Sequence, residues 1–323
     1  MDATGGPQSE LAQLADSVVP PGRRLTGAQV AAAAGVDREL ARRLRRAMGL
    51  PDVPDGEAAY GDEDVEALRR AGALISEDGL DVTDVLHLAR TLGLASSRMA
   101  DALVAFSVAR RGPGAAGRSA GLVDAGRVAD LERVVGYLLR RHLLDAANRR
   151  LGSGPGGDAP SSPRAVGFAD LVGFTSLSAQ LDDHETAELV ERFEVLATDR
   201  VVASGGRVVK MIGDEVMFSS DPPQAGEIAL GLAETFDSPD LPAVRVGAAA
   251  GSVVSQSGDL YGPVVNLASR ATTVARPGTV LISRGLAELL RADRYVTIPI
   301  RPRRLKGMGV VQLEVLRRAE PRR

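Results

Sequence analysis

Apolar residues recur at the three- and four-residue spacing of amphipathic helices throughout the first half of the chain. Capping residues such as Thr26 and Asp37 precede these segments, and Gly35 and Gly49 follow them, so helix boundaries are marked as well. The pattern predicts an all-helical domain. Its predicted helices lie at 9–18, 26–35, 38–48, 63–74, 81–92, 97–110 and 122–151.

The second half of the chain has a different pattern, in which short apolar runs typical of strands are separated by helical segments. Predicted strands lie at 164–170, 206–212, 215–219, 244–252, 279–283, 294–299 and 310–316. Predicted helices lie at 175–181, 184–203, 223–236, 263–275 and 284–291. Because hairpins and crossovers are mixed, this order indicates an α+β sandwich in which helices cover a sheet.

A stretch rich in Gly, Ser and Pro, GSGPGGDAPSSP, separates the two halves at residues 152–163. Such a composition predicts a flexible linker. The length of 323 residues also suits two domains. We therefore expect an all-helical domain at 1–151 and an α+β domain at 164–323.

The amino-acid composition excludes several classes of function. Hydrophobic residues make up 44% and charged residues 25%, as in ordinary globular proteins, and a net charge of −3 gives no general attraction to nucleic acid or anionic membranes. Without any Cys there is no disulfide, thiol nucleophile or thiolate metal site. No apolar run is long enough to span a bilayer, and the N-terminus does not have the pattern of a signal peptide. These features predict a cytoplasmic protein that neither spans nor binds a membrane.

Lysine occurs only at Lys210 and Lys306, although Lys and Arg together number 39. In so arginine-rich a chain, a retained lysine indicates a site that needs a compact point charge rather than a planar guanidinium. Both lysines are therefore candidate functional residues.

Two acidic residues stand at predicted strand ends in the α+β domain. Asp170 ends the first strand, and Asp214 lies in a Gly turn between the next two. Such a pair suits Mg²⁺, which takes oxygen ligands and is often held by one or two protein carboxylates plus substrate phosphates. Glu215 follows Asp214, but strand alternation is expected to point its side chain elsewhere. We therefore predict Asp170 and Asp214 as the metal ligands.

The turn after the first predicted strand has the features of an anion site. Gly173, Phe174 and Thr175 lie between that strand and a predicted helix N-terminus, where backbone N–H groups are free to bind an anion. Gly173 also permits close approach of a phosphate. We therefore expect these three residues to contact substrate phosphates.

Three segments of this domain resemble the catalytic motifs of the class III adenylyl cyclases: FADLVGFTSLS at 168–178, KMIGD at 210–214 and DLYGPVVNLASR at 259–270. The resemblance covers roughly residues 164–317. It implies a ferredoxin-like core and the conversion of ATP to 3′,5′-cyclic AMP and pyrophosphate. It also implies that two Mg²⁺ or Mn²⁺ ions bind each active site at Asp170 and Asp214.

Lys210 and Asp259 match the positions at which these enzymes choose their base. A lysine donates to N1 of adenine, and an aspartate accepts from its N6 amino group. Guanine presents the reverse pattern, so the same pair would leave buried polar groups unpaired. The resemblance therefore implies ATP as the substrate and disfavours a guanylyl cyclase.

The resemblance also assigns the remaining site residues. Asn266 would position the ribose, Arg270 would stabilise charge on the α-phosphate, and Lys306 would bind phosphate. In class III enzymes the metal ligands come from one subunit, and the residues for base, ribose and phosphate come from the other. A homodimer with two composite sites is therefore expected.

The helical domain is similar to the regulatory domains of soluble actinobacterial adenylyl cyclases that respond to pH. This similarity implies that it regulates the catalytic domain, by autoinhibition. His142, in the predicted helix just before the linker, is the candidate pH sensor because histidine titrates near neutral pH.

An alternative interpretation is a DNA-binding or nucleotide-sensing regulator with a non-catalytic, cyclase-like dimerisation domain. The helix-turn-helix spacing and the arginines of the predicted helix at 38–48 favour it. Many acids follow that helix and leave no basic stripe beyond it, so nucleic acid is not an expected partner. Retention of every expected polar residue in the second domain also favours the enzyme.

Overall fold

The structure, a computed structural model, describes residues 22–109, 125–151 and 163–319. The chain divides into two compact units, Met1–Gly152 and Ser153–Arg323. None of the described helices combines the length and the apolar character that a membrane crossing requires. The helix predicted at 9–18, and nearly all of the linker predicted at 152–163, lie outside the described residues.

The first unit is helical in its described parts, as the spacing of its apolar residues predicts. Its helices are α1 (Gly27–Ala34), α2 (Arg38–Ala47), α3 (Asp62–Ser76), α4 (Val82–Ala109) and α5 (Ala125–Leu151). Thr26 and Gln29 form a capping box at the start of α1, and the Asp37 side chain accepts from the first N–H groups of α2. The core of this unit includes Val30, Leu44, Val65, Leu68, Val85 and Leu86.

One helix of this unit differs from the prediction. The separate helices expected at 81–92 and 97–110 are wrong, because these residues form the single 28-residue helix α4. Gly93 lies inside it, and a Cβ at this position would stand 2.2 Å from the carbonyl oxygen of Met48. Gly93 therefore allows the end of α2 to pack closely on α4, and it does not end a helix.

The arginines of α2 are largely engaged within their own unit. The contacts are Arg38 with Asp55, Arg42 with Glu39, Arg46 with Asp52, and Arg45 over the ring of Tyr60. A helix whose cations are neutralised in this way presents little free positive charge to a polyanion. This arrangement counts against the DNA-binding interpretation.

The second unit combines strands with helices, and the predicted α+β class is confirmed. Its strands are β1 (Arg164–Leu171), β2 (Arg207–Ile212), β3 (Glu215–Ser220), β4 (Val244–Gly251), β5 (Val254–Gln256), β6 (Asp259–Tyr261), β7 (Val280–Ser283), β8 (Tyr295–Pro299), β9 (Arg303–Leu305), β10 (Gly309–Val311) and β11 (Leu313–Arg318). Its helices are α6 (Phe174–Ser178), α7 (Asp183–Ala203), α8 (Pro222–Thr235), α9 (Pro263–Val274) and α10 (Arg284–Ala287).

A seven-stranded mixed sheet with the order β2-β3-β1-β4-β7-β11-β8 forms the centre of this unit. Its neighbouring strands are antiparallel except for β4 and β7. Helices α7, α8 and α10 pack on one face, where Phe193, Ile228 and Leu286 are buried. Helix α9 packs on the opposite face through small residues such as Ala268 and Ala271.

The seating of α9 on β4 leaves no room for another atom. A Cβ added at Gly247 would lie 2.2 Å from the backbone nitrogen of Thr272 and 2.5 Å from the carbonyl oxygen of Ala268. The buried hydroxyl of Thr272 also donates to the carbonyl oxygen of Phe168 on β1, at 3.3 Å. These contacts hold α9 to two central strands and so fix the direction in which its outer face points.

Two hairpins outside the seven-stranded sheet differ from the predicted strands. The strand expected at 310–316 is two strands: β10 pairs with β9, and β11 joins the main sheet between β7 and β8. Gln312 stands at the break, and its side-chain amide donates to the carbonyl oxygen of Ile300 at 2.6 Å. The hairpin of β5 and β6 is also absent from the prediction, because its strands have only three residues each.

Replacing Gly247 with Ala tests the seating of α9. The added methyl group would meet backbone atoms, which cannot move aside as a flexible side chain does. We expect the free energy of unfolding to fall by about 3 kcal/mol, measured by denaturant unfolding. The matched control is Gly285→Ala on α10, whose Cβ would find its nearest neighbour at an ordinary 3.6 Å. Equal and small effects in both variants would contradict the tight seating.

Candidate active site

One candidate metal ligand, Asp170, belongs to a row of charged residues across the central strands of the sheet. Asp170 on β1 is the direct partner of Glu215 on β3 and of Arg245 on β4. Residues opposite each other on neighbouring strands project to the same face, with Cβ atoms about 4.5–5.5 Å apart. The three charged side chains therefore stand side by side. They share the face of α9, because Phe168, two residues earlier on β1, packs in the same cluster as Ala268.

Asp170 is ion-paired with Arg245. Both Nε and Nη2 of the guanidinium reach the same carboxylate oxygen, Oδ2, at 2.6 and 2.5 Å. The Asp170 side chain is 15% exposed and that of Arg245 is 35% exposed, so solvent screens the pair only in part. The sequence interpretation missed Arg245. The available signal was a single cation within the small and apolar residues of β4.

Asp214 lies in the turn between β2 and β3, beside the end of β1. Gly213 before it has a φ of 62°, and the N–H of Leu171 donates to the carbonyl oxygen of Asp214 at 3.0 Å. Burial raises the pKa of the Asp214 carboxyl, and the negative charge of Asp170 raises it further against the opposing effect of Arg245. The structure therefore brings Asp170 and Asp214 together, as the sequence predicts.

Glu215 corrects the expectation that its side chain points elsewhere. Strand alternation does not separate it from Asp214, because Asp214 belongs to the turn and β3 begins only at Glu215. Burial raises the pKa of Glu215 to about 7, and the charges of Asp170 and Asp214 contribute to the shift. Glu215 is thus a third carboxylate beside the two predicted ligands. Asp170, Asp214 and Glu215 together are the carboxylate row.

This group of residues fits a divalent cation. It offers hard oxygen donors from three neighbouring carboxylates, and the pKa values of Asp214 and Glu215 are raised mainly by burial and further by the neighbouring negative charges. Among the described residues, no three His, Asp or Glu side chains are arranged to hold a metal by themselves. A metal at Asp170 and Asp214 would therefore take further oxygen ligands from phosphate or water.

The predicted phosphate-contacting turn joins β1 to α6. Gly173 adopts a left-handed conformation with a φ of 75°, and α6 starts at Phe174. Phe174 and Thr175 are in the first turn of this short helix, where backbone N–H groups have no intrahelical acceptor. The turn follows Asp170 by three residues and so lies near the carboxylate row.

Lys210 and Asp259 are in direct contact. Nζ of Lys210 lies 2.5 Å from Oδ2 of Asp259, whose other oxygen accepts from the N–H of Leu260 at 2.8 Å. Burial acts to raise the pKa of Asp259, but these two hydrogen bonds and the lysine charge outweigh it and lower the pKa. Lys210 is aligned through Met217 with Phe168, so it stands on the same sheet face as Asp170.

Asn266, Arg270 and Lys306 are not joined to either group. Asn266 and Arg270 lie on the exposed side of α9, one turn apart. Lys306 is exposed in the turn between β9 and β10. Within the described part of the chain, the structure records no side-chain hydrogen bond or ion pair for these three residues. One copy therefore carries the predicted residues as two assembled pairs, one turn of three residues and three separate side chains.

Comparisons with known proteins identify the family of the chain. The adenylate and guanylate cyclase catalytic domain matches residues 159–316, and the adenylate cyclase regulatory domain matches residues 15–144. An adenylate cyclase of Streptomyces coelicolor is 39% identical over 279 residues, which are 84% of this chain and 73% of that protein. The chain belongs to the class III adenylyl cyclase family. The family and enzyme class predicted from the sequence are therefore confirmed.

Other class III adenylyl cyclases resemble the chain across both units. An adenylate cyclase of Glutamicibacter nicotianae is 35% identical and aligns with 92% of this chain and 81% of its own length. A pH-sensitive adenylate cyclase of Mycobacterium tuberculosis is 34% identical and aligns with 89% of this chain and 77% of its own length. Cyclases of this class use divalent metal ions, in agreement with the oxygen-rich donor set at Asp170 and Asp214.

Replacing Glu215 with Gln tests the environment of the carboxylate row in metal-free protein. The folded-state pKa of Glu215, about 7, lies above its unfolded value of about 4.3. The stability contributed by the protonated group is present below pH ~4.3 and is lost as the pH rises through about 7. We expect wild type to lose roughly 2 kcal/mol more than Glu215→Gln over this window, the full linkage value being reduced because the group is partly solvated.

The measurement is urea unfolding with a chelator from pH 4 to pH 8. Glu191→Gln, at an exposed position of α7, is the control for loss of a carboxylate. A difference between wild type and Glu215→Gln that stays constant with pH would contradict the raised pKa.

Proposed function

We propose that the chain converts ATP to 3′,5′-cyclic AMP and pyrophosphate at an active site shared between two copies. The observation that supports this best is that one chain carries two assembled polar pairs, the carboxylates Asp170 and Asp214 and the ion-paired Lys210 and Asp259. The first pair suits metal-bound phosphate, and the second suits adenine. A site between two copies would join the first pair of one copy to the second pair of the other.

The reaction forms a bond between the ribose 3′-oxygen and the α-phosphorus and breaks the bond from that phosphorus to the pyrophosphate oxygen. Two Mg²⁺ or Mn²⁺ ions, when bound, would lower the pKa of the 3′-hydroxyl and hold the triphosphate. Asp170 and Asp214 would hold these ions. The turn at Gly173, Phe174 and Thr175 would place backbone N–H groups against the phosphates.

Base selection rests on Lys210 and Asp259. With nucleotide bound, the lysine would donate to N1 of adenine, and the aspartate would accept from the N6 amino group. Their mutual ion pair supports this assignment, because it places a donor and an acceptor next to each other. Guanine would leave both groups facing like partners, a mismatch that discriminates strongly in a buried site.

The base-reading pair, Lys210 and Asp259, would come from the second copy, and so would the residues for ribose and phosphate. Asn266 would position the ribose, Arg270 would stabilise the charge that develops on the α-phosphate through bidentate hydrogen bonds, and Lys306 would bind the triphosphate. All three are exposed in the single chain and have no recorded polar partner among its described residues. A homodimer would pair each exposed set with a carboxylate row across the interface.

The helical unit is the proposed regulator of this activity, through autoinhibition that responds to pH. The support is the match of residues 15–144 to a cyclase regulatory domain and the similarity to a relative named as pH-sensitive. His142 remains the candidate sensor, and it is exposed on α5.

The first test is cyclic AMP production by the full-length chain and by residues 160–323, with Mg²⁺ or Mn²⁺, from acid to alkaline pH. We expect both to convert ATP in preference to GTP, and only the full-length chain to show strong pH dependence, which His142→Ala would shift. If neither form makes cyclic AMP, the catalytic proposal is wrong. If both have the same pH profile, the regulatory proposal alone is wrong.

Mixing two inactive variants tests the shared site. Asp170→Ala removes a metal ligand, and Lys210→Ala removes a base contact, so each alone is expected to lose almost all activity. A mixed dimer would contain one site with both defects and one with neither. We expect the mixture to recover up to about a quarter of wild-type activity, because random pairing gives half mixed dimers, each with one intact site. Absence of recovery in a mixture shown to form mixed dimers would contradict a composite site.

A further inference from the structure

The ion pair of Asp170 and Arg245 occupies one carboxylate oxygen of a residue that the proposed function assigns to a metal. Both guanidinium contacts, from Nε and Nη2, go to Oδ2 of Asp170. The inference below rests on the proposed metal role of Asp170, and its test separates the two.

The pairing is built into the sheet rather than made by a chance surface contact. β1 and β4 are neighbours over eight residue pairs, and Asp170 and Arg245 are direct partners within that register. The contact therefore needs no loop rearrangement, and the side chains start on the same face. Because Asp170 is 15% exposed, its charge is costly to leave without a partner.

Other carboxylates near Asp170 add negative charge and so favour a cation beside it. Glu215 is the direct strand partner of Asp170, and Asp214 lies in the turn beside the end of β1, so two more carboxylates surround the pair. The cations acting on these carboxylates are Arg245 and, at Glu215, Lys210. Lys210 itself lies against Asp259, so Arg245 is the cation committed to the carboxylate row.

We propose that Arg245 is the resident counterion of Asp170 in the metal-free protein, and that a divalent cation binds there only when Arg245 releases Oδ2. The two cations compete for one oxygen and repel each other at close range. Arg245 therefore sets the metal affinity of the site, keeping it low while no nucleotide is bound. A carboxylate row without this arginine would hold a metal ion more tightly in the empty enzyme.

The test is binding of Mn²⁺ alone to the full-length chain, without nucleotide, followed by electron paramagnetic resonance of free Mn²⁺. Removing the charge with Arg245→Gln is expected to tighten binding by about 5- to 150-fold, the range typical of two coupled binding events. Arg245→Lys keeps a cation at the same place and is expected to stay within a fewfold of wild type. Structural damage would weaken binding, so tighter binding reports the competition itself.

Two controls locate the effect. Arg284→Gln breaks an exposed ion pair with Glu288 on α10 and is expected to leave Mn²⁺ binding unchanged. Asp214→Asn removes a proposed ligand and is expected to abolish tight binding in the Arg245→Gln background.

The outcomes distinguish the two levels of the proposal. If wild type binds Mn²⁺ and Arg245→Gln binds it equally or less tightly, the counterion role is overturned while the metal site stands. If neither binds Mn²⁺, with or without ATP, the metal site itself is wrong and the counterion role falls with it.

A second measurement on wild type guards against a variant that fails to fold. Release of Arg245 predicts that its labelling by phenylglyoxal, followed by mass spectrometry, increases severalfold when Mn²⁺ is bound. Labelling of Arg284 serves as the internal reference. Unchanged labelling of Arg245 at saturating Mn²⁺ would overturn the proposal.

Discussion

The register of β1 with its two neighbours determines the candidate active site. Pairing with β3 places Glu215 beside Asp170, and pairing with β4 places Arg245 on the other side. A shift of β1 by one residue would turn Asp170 to the opposite face, which is filled by the apolar core under α7 and α8, and would separate it from Glu215 and Arg245. The hydrophobic alternation of these central strands is therefore also what aligns their charges.

That constraint explains which parts of the site were predictable from the sequence. Asp170 and Asp214 are marked by local features, a strand end and a Gly turn, and the helix caps at Thr26 and Asp37 are equally local. Arg245 stands 75 residues from Asp170, and only strand register brings it to that carboxylate. Local patterns say that strands exist, but they do not say which residues face each other across them.

The same limit applies to the errors in the fold. A glycine such as Gly93 often ends a helix, but here it allows the backbone of Met48 to approach closely. A sequence window around residue 93 does not contain Met48. The break at Gln312 likewise depends on a hydrogen bond to Ile300, twelve residues away. In each case the deciding contact is between segments. Secondary-structure propensity describes each segment separately, and packing between segments overrides that propensity.

Helix α9 is clamped to the sheet at Gly247 and Thr272, so it cannot slide or rotate on its own. The backbone positions of Asn266 and Arg270 are therefore fixed relative to their own sheet. A regulator acting on the proposed composite site could not tune these residues by bending one copy. It would have to change the angle or the distance between the two catalytic units of the dimer. Catalysis would then be controlled by rigid-body movement of one copy against the other.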